Sequence, residues 1–212
     1  QGIIGTHSLF FSHHLQTMEG GVILTDDKQI NDYLRSLRAH GWGRDLLKNN
    51  SLHKMSGDKF KDLFTFITPG YCLRPLEIEA AIGIEQLKKI DKFLKVREEN
   101  SKLFIKLFKN KSWCNIQKQY KNSYSSWYGF NILLKGPLKN KRKFIIQKLV
   151  KNGIEVRPTL TGHFLKNPVM KYLKYTKTGS FKNSKYVDQN GFYVGNYPKN
   201  LKHQLKYLYK LI

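Results

Sequence analysis

Cysteine, proline and acidic residues are scarce in this 212-residue chain, which has two Cys, six Pro and 15 Asp and Glu, and no long apolar run interrupts it. Each scarcity excludes something. Cys72 and Cys114 lie far apart without metal-ligand spacing, so neither a disulfide framework nor a zinc site is predicted and both thiols are expected to be reduced. No stretch approaches the roughly 20 apolar residues that a membrane span requires. The opening Gln1-Gly2-Ile3-Ile4-Gly5 lacks the basic region, apolar core and cleavage site of a secretory signal. A cytoplasmic location with no membrane partner is the expectation. The first residue is Gln rather than Met and the first dozen residues read as domain interior, so a segment upstream is expected as well.

Against the few acids stand 38 Lys and Arg, a formal net charge of +23. Alone, that excess would recommend nucleic acid, because clustered cations bind polyphosphate through counterion release. The lysines are read instead as dispersed among Asn, Ile, Tyr and Phe, the mix that AT-rich codons leave in exposed positions. A solvated surface is therefore expected, and nucleic acid is disfavoured as a partner. A hydrophobic fraction of 40% is enough for one substantial core or two modest ones.

The chain alternates strand-like and helical patterns. Residues 6–25 read as strand, loop, strand, with Leu9-Phe10-Phe11 before a polar Ser12-His13-His14 and Gly20-Gly21-Val22-Ile23-Leu24 after it. Asp26 or Asp27 can cap a helix with Ile30, Tyr33, Leu34 and Leu37 at helical spacing, ending near Gly41. Pro75 opens a long helix with Ile78, Ile82, Leu87, Ile90 and Leu94 inward and a bend near residue 91. Beyond residue 112 the elements are short. Strands are predicted at Trp127–Leu134, Ile154–Val156 and Phe192–Val194, and helices at Arg142–Lys151, 168–174 and 199–210, with a surface loop over 174–185. An α/β chain of two parts follows, residues 1–110 and 111–212.

The segment Ser8-Leu9-Phe10-Phe11-Ser12-His13-His14-Leu15-Gln16-Thr17-Met18-Glu19-Gly20-Gly21 resembles the active-site loop of the DegT-type nucleotide-sugar aminotransferases. In that family a Ser precedes the cofactor lysine by five residues and Glu-Gly-Gly follows it by six. Both spacings converge on His13, counted from Ser8 and from Glu19. Two adjacent histidines in a loop are ordinarily solvated, and the register with the flanking motif selects His13 over His14. Members with His in place of Lys resemble a distinct branch, the pyridoxamine-phosphate-dependent sugar 3-dehydratases. The exchange has its own chemistry. A primary amine forms a Schiff base and imidazole cannot, so the cofactor must be held noncovalently. Imidazole, with an intrinsic pKa of about 6.5, still moves protons near neutral pH.

Further segments carry the resemblance along nearly the whole chain. Leu34 to Leu46 is similar to the stretch in which His40 and Arg44 would face co-substrate or sugar, the plain alternative being a basic helix end. Pro69-Gly70-Tyr71-Cys72-Leu73-Arg74 is similar to a Gly-Tyr-Asn-x-Arg segment whose Asn reaches the cofactor phosphate of the neighbouring subunit. Cys72 stands in the Asn place, a poorer hydrogen-bond donor. Arg74 would grip a carboxylate of glutamate bidentately, or else pair with Glu77. Arg157 and His163 fall in closing elements of the smaller part, His163 where relatives usually have Asn.

The resemblance implies the C-terminal part of a fold-type I PLP-dependent transferase, the end of its large α/β/α domain plus the small C-terminal domain. It implies pyridoxal or pyridoxamine 5'-phosphate with Ser8 and Cys72 toward it, glutamate as amino donor, a homodimer with shared sites, and His13 as acid and base. The implied reaction is 3-deoxygenation of a nucleotide-linked 4-keto-6-deoxy sugar, with GDP-4-keto-6-deoxy-D-mannose the substrate it points to. The basic surface would draw in such an anion. A related CDP-sugar branch ligates an iron–sulfur cluster with extra cysteines, and two thiols are too few, so no cluster is expected. The acidic partner of the pyridine nitrogen, the ring stacked on the cofactor and the phosphate loop precede the lysine loop in this family and have no counterpart here. The alternatives are a glutamate-dependent aminotransferase and a basic module, or truncated homologue, without catalysis.

Overall fold

Local signals set most of the elements in the computed structural model, which describes residues 2–212. Two compact units divide at Ile90/Asp91. The expected division near residue 110 lies further on, because the long helix that precedes it buries Phe104 and Phe108 in the core of the second unit.

In the first unit, β1 (Gly5–Ser8) and β2 (Gly21–Leu24) form an antiparallel ribbon in the register Ser8↔Gly21 to Gly5↔Leu24. Helix α1 (Lys28–Arg38) starts where the Asp27 carboxylate accepts the Ile30 N–H at 2.8 Å. Its fully buried residues are polar. Asp32 and Ser36, one turn apart, face loops of the same unit, while the predicted apolar stripe of Ile30, Tyr33, Leu34 and Leu37 is only partly covered or exposed. A short α2 (Lys59–Asp62) follows, capped by Asp58. The predicted long helix is two, α3 (Glu77–Leu87) and α4 (Ile90–Phe108), broken at residues 88–89. The Glu79 carboxylate accepts the Leu76 N–H at 2.9 Å and secures the start of α3. Ala39 is the one buried hydrophobic residue among the described residues of this unit, and no residue of β1, β2 or α3 is buried.

The second unit holds the hydrophobic core. Its sheet runs β3 (Cys114–Ile116), β4 (Gly129–Leu134), β6 (Gly191–Gly195), β5 (Arg157–Pro158), all antiparallel. Helices α5 (Arg142–Lys151) and α7 (Lys202–Leu211) supply Ile145, Leu149, Leu205 and Leu208 to that core, against Phe130, Ile132 and Phe192. The predicted strand Ile154–Val156 is displaced to Arg157–Pro158. Pro158 belongs to it because β5 is an edge strand, where a missing N–H costs no ladder bond. Residues 182–185, expected as the end of a surface loop over 174–185, instead open helix α6 (Lys182–Asn190). A buried polar node fastens α4 to the end of β6: Asn196 donates to the Arg97 and Trp127 carbonyls and accepts from Asn100. Trp127 itself is core.

Candidate active site

The β1–β2 ribbon presents the loop that carries His13. Past Ser8 the ladder continues irregularly, with the Leu9 N–H on the Gly20 carbonyl and the Phe11 N–H on that of Met18. Gly20 at φ +99° and Met18 at φ 76° turn the returning strand. Gly21 is needed for closeness, since a β-carbon there would stand 2.9 Å from the His7 carbonyl oxygen. Buried Thr17 anchors the loop inward beside Gly83 of α3. The outer end of the loop, with Ser12 and His13, is exposed.

His13 is oriented from two sides. Its N–H donates to the Phe10 carbonyl at 2.9 Å and its ring meets that of Phe10 edge-on, centroids 6.0 Å apart. Its Nδ1 lies 3.3 Å from the Ser8 carbonyl oxygen. A carbonyl only accepts, so Nδ1 carries the proton in this contact. Ser8 accepts the Phe10 N–H on its hydroxyl oxygen and keeps its own proton available. Residues 5–24 contain no lysine. The ribbon thus offers a hydroxyl donor and an imidazole but no amine, a donor set suited to a phosphorylated pyridine held noncovalently.

A second constellation arises where residues 39–43 cross residues 65–73. The Ile67 N–H bonds the Gly41 carbonyl, Gly43 bonds Thr65, His40 bonds Tyr71, and Leu73 bonds Arg38. Ser36 clamps the crossing through Thr68 Oγ1 at 3.0 Å, and Asp32 holds the intervening loop by accepting both the N–H and the hydroxyl of Ser51. Four sequence candidates gather here. His40 packs on Trp42 with centroids 4.7 Å apart, the Arg44 guanidinium lies 3.4 Å over the Trp42 ring, and that of Arg74 is 5.7 Å from it. Cys72, exposed, bridges Ala39 beside them.

Trp42 is therefore the hub of this cluster, with Phe64 and Phe66 around it. Sequence reasoning did not single it out; the close succession of His40, Trp42 and Arg44 was the available signal. Cation–π contact orients the two guanidiniums without neutralising them. Among the described residues no ion pair engages Arg44 or Arg74, and Glu77 is not bonded to Arg74. Two uncompensated guanidiniums beside an aromatic plane suit an anion with an apolar or cyclic body.

Arg157 and His163 belong to the second unit. Arg157 Nε and Nη2 both donate to Glu155 Oε1, at 2.9 and 2.6 Å, and that carboxylate raises the already high pKa of the guanidinium. His163 is buried, with Nδ1 3.1 Å from the Ser184 hydroxyl and its ring against Phe181, so it ties the 160s turn to the start of α6. Asp188 closes the same corner. Its carboxylate takes Lys166 at 2.5 Å and its pKa is lowered chiefly by that bond.

Known proteins resemble this chain over nearly its whole length. The model of the DegT/DnrJ/EryC1/StrS aminotransferase family matches residues 1–211. GDP-4-keto-6-deoxy-D-mannose 3-dehydratase of Escherichia coli O55:H7 is 44% identical over 213 residues, covering 100% of this chain and 54% of that protein. The solved E. coli enzyme of that name, with bound hydrated PLP, superposes with a TM-score of 0.95 at 44% identity, over 99% of this chain and 54% of the other. A GDP-4-keto-6-deoxymannose-3-dehydratase with a trapped PLP-glutamate geminal diamine also gives 0.95, at 43% identity and the same coverage. The chain spans about half the length of the curated relatives it matches. The fold is that of the PLP-dependent aminotransferases, as the motif resemblance implied.

Proposed function

This chain belongs to the DegT/DnrJ/EryC1/StrS aminotransferase family, and from that premise we propose that the protein deoxygenates a nucleotide-linked 4-keto-6-deoxy sugar at C-3. The single observation that carries the reading is His13, held on the β1–β2 loop in register with Ser8 and Glu19-Gly20-Gly21, where amino transfer would need an amine. GDP-4-keto-6-deoxy-D-mannose is the proposed substrate, the sugar on which the 44% identical relative acts by name.

Pyridoxamine phosphate, when bound, supplies the amine that engages the sugar ketone and the ring that draws electrons from it. The chain's residues do the rest. With Nδ1–H on the Ser8 carbonyl, His13 would take at Nε2 the C–H proton given up by the bound cofactor and pass it to the departing C-3 hydroxyl, so that water leaves. One group serving both transfers needs no second acid. Ser8 donates its hydroxyl proton toward the cofactor phosphate, with Cys72 as a weaker contact from a neighbouring subunit. Arg74 takes a glutamate carboxylate, while Arg44 and His40, on the Trp42 plane, bind the anionic sugar. Arg157 and His163 belong to the proposed substrate side in the second unit, Arg157 directly and His163 by holding the 160s turn.

A homodimer with shared sites completes the proposal. The exposed Ile78, Ile84 and Leu87 of α3 and Val22, Ile23 and Leu24 of β2 give it apolar area to cover. No helix among the described residues is long and apolar enough to cross a membrane, and both thiols are free, which fits the proposed cytoplasmic location. The deciding experiment incubates the full-length protein with cofactor, glutamate and the keto sugar. Ammonia with a 3-deoxy sugar supports deoxygenation; a stable 4-amino sugar overturns it in favour of amino transfer.

A further inference from the structure

Nearly all of the net charge resides in the second unit. Residues 91–212 carry 27 Lys and Arg against 5 Asp and Glu, whereas residues 1–90 carry 11 against 10. Codon drift into exposed positions would load both units alike, yet lysine occupies 24 positions of the second unit and 7 of the first. The dispersed surface expected from composition is not what the units display. Within the second unit, moreover, the charge coincides with uncovered apolar side chains. No acid occurs from Val156 to Val187, and residues 171–180 are all exposed around the 3-10 turn Pro168–Tyr172. Leu160 is 78% exposed, Tyr172 76%, and Val169 and Leu173 nearly half. Lys171 Nζ sits 4.7 Å from the Tyr172 ring and Lys177 Nζ 5.8 Å from that of Tyr175. Among the described residues, ion pairs of this unit engage only Lys102, Arg157 and Lys166.

We infer that the lysine- and tyrosine-rich turn over residues 169–178 docks on an anionic phospholipid surface. Lysines there keep their ammonium groups at headgroup level while their stems lie along apolar surface. Tyrosine rings suit the same interface, and Val169 and Leu173 reach the acyl boundary. Nucleic acid, the other polyanion, fits less well. Its recognition rests on guanidinium forks and on a groove-sized helix or ribbon. All three arginines of this unit are engaged: Arg97 with the Asn196 and Tyr128 carbonyls, Arg142 with those of Asp188 and Gly191, Arg157 with Glu155. Val169 and Leu173 have no role on a phosphate backbone. The inference rests on residues of this unit alone and not on the deoxygenation proposed above.

The test is sedimentation of the full-length protein with vesicles of phosphatidylcholine containing about 30% phosphatidylserine, and with pure phosphatidylcholine, at about 0.1 M salt. Binding to the anionic vesicles alone is expected. Changing Lys171, Lys174 and Lys177 together to Gln should lower the partition coefficient by about tenfold or more. Removing the same charge from α7, with Lys202, Lys206 and Lys210 changed to Gln, should lower it far less. The pair Val169→Ser and Leu173→Ser should weaken binding at constant charge. No binding to anionic vesicles, an equal loss from both lysine triples, or tighter binding to duplex DNA than to the vesicles would each overturn the inference.

Discussion

Gly70 passes Gly41 so closely that a β-carbon on Gly70 would lie 2.0 Å from the Gly41 nitrogen, and one on Gly41 would lie 1.8 Å from the Thr68 carbonyl oxygen. Gly41 also needs φ +85°, which side chains disfavour. Backbone contact at this point is what assembles His40, Trp42, Arg44 and Arg74. Gly41→Ala or Gly70→Ala in the full-length protein is expected to cost about 2 kcal/mol or more in urea unfolding. An alanine that leaves the midpoint unchanged would show that the crossing is not needed.

What could be foreseen and what could not divides along the same line. The Asp27 cap, the α5 boundaries and the His13 loop were legible because they depend on neighbours in sequence. The Trp42 hub was not, since it exists only where two remote segments cross. Helix α6 escaped because its nine residues are mostly polar and begin after Phe181 in a left-handed conformation. The charge asymmetry became visible only once Phe104 and Phe108 assigned α4 to the second unit.

Arg74 carries the next prediction. If it grips a carboxylate of glutamate, Arg74→Ala should raise the KM for glutamate by about 10- to 100-fold with little change in turnover of the loaded enzyme. Arg74→Lys keeps the charge and loses the fork, so it should recover only part of the effect. An unchanged KM in both variants would remove Arg74 from the co-substrate site.

Cys114 links stability to alkaline pH. Burial pushes its thiol from the usual 9.0 up to about 11, because the folded interior penalises the thiolate. The folded state therefore holds the proton longer than the unfolded chain. Its contribution is full below pH 9 and is lost as pH rises through about 11. Unfolding at fixed temperature across that window should show a decline that is smaller in Cys114→Ala. Iodoacetamide should label exposed Cys72 in the native protein and reach Cys114 only after denaturation. Equal labelling of both would contradict the burial.

His13 is where the account stands or falls, and ammonia release from the full-length His13→Asn variant, with pyridoxamine phosphate and the keto sugar in a single turnover, is the direct measurement. A fall of roughly 100- to 10,000-fold is predicted, with cofactor absorbance retained. Release within about threefold of the unsubstituted protein would contradict His13 as the group that moves the proton.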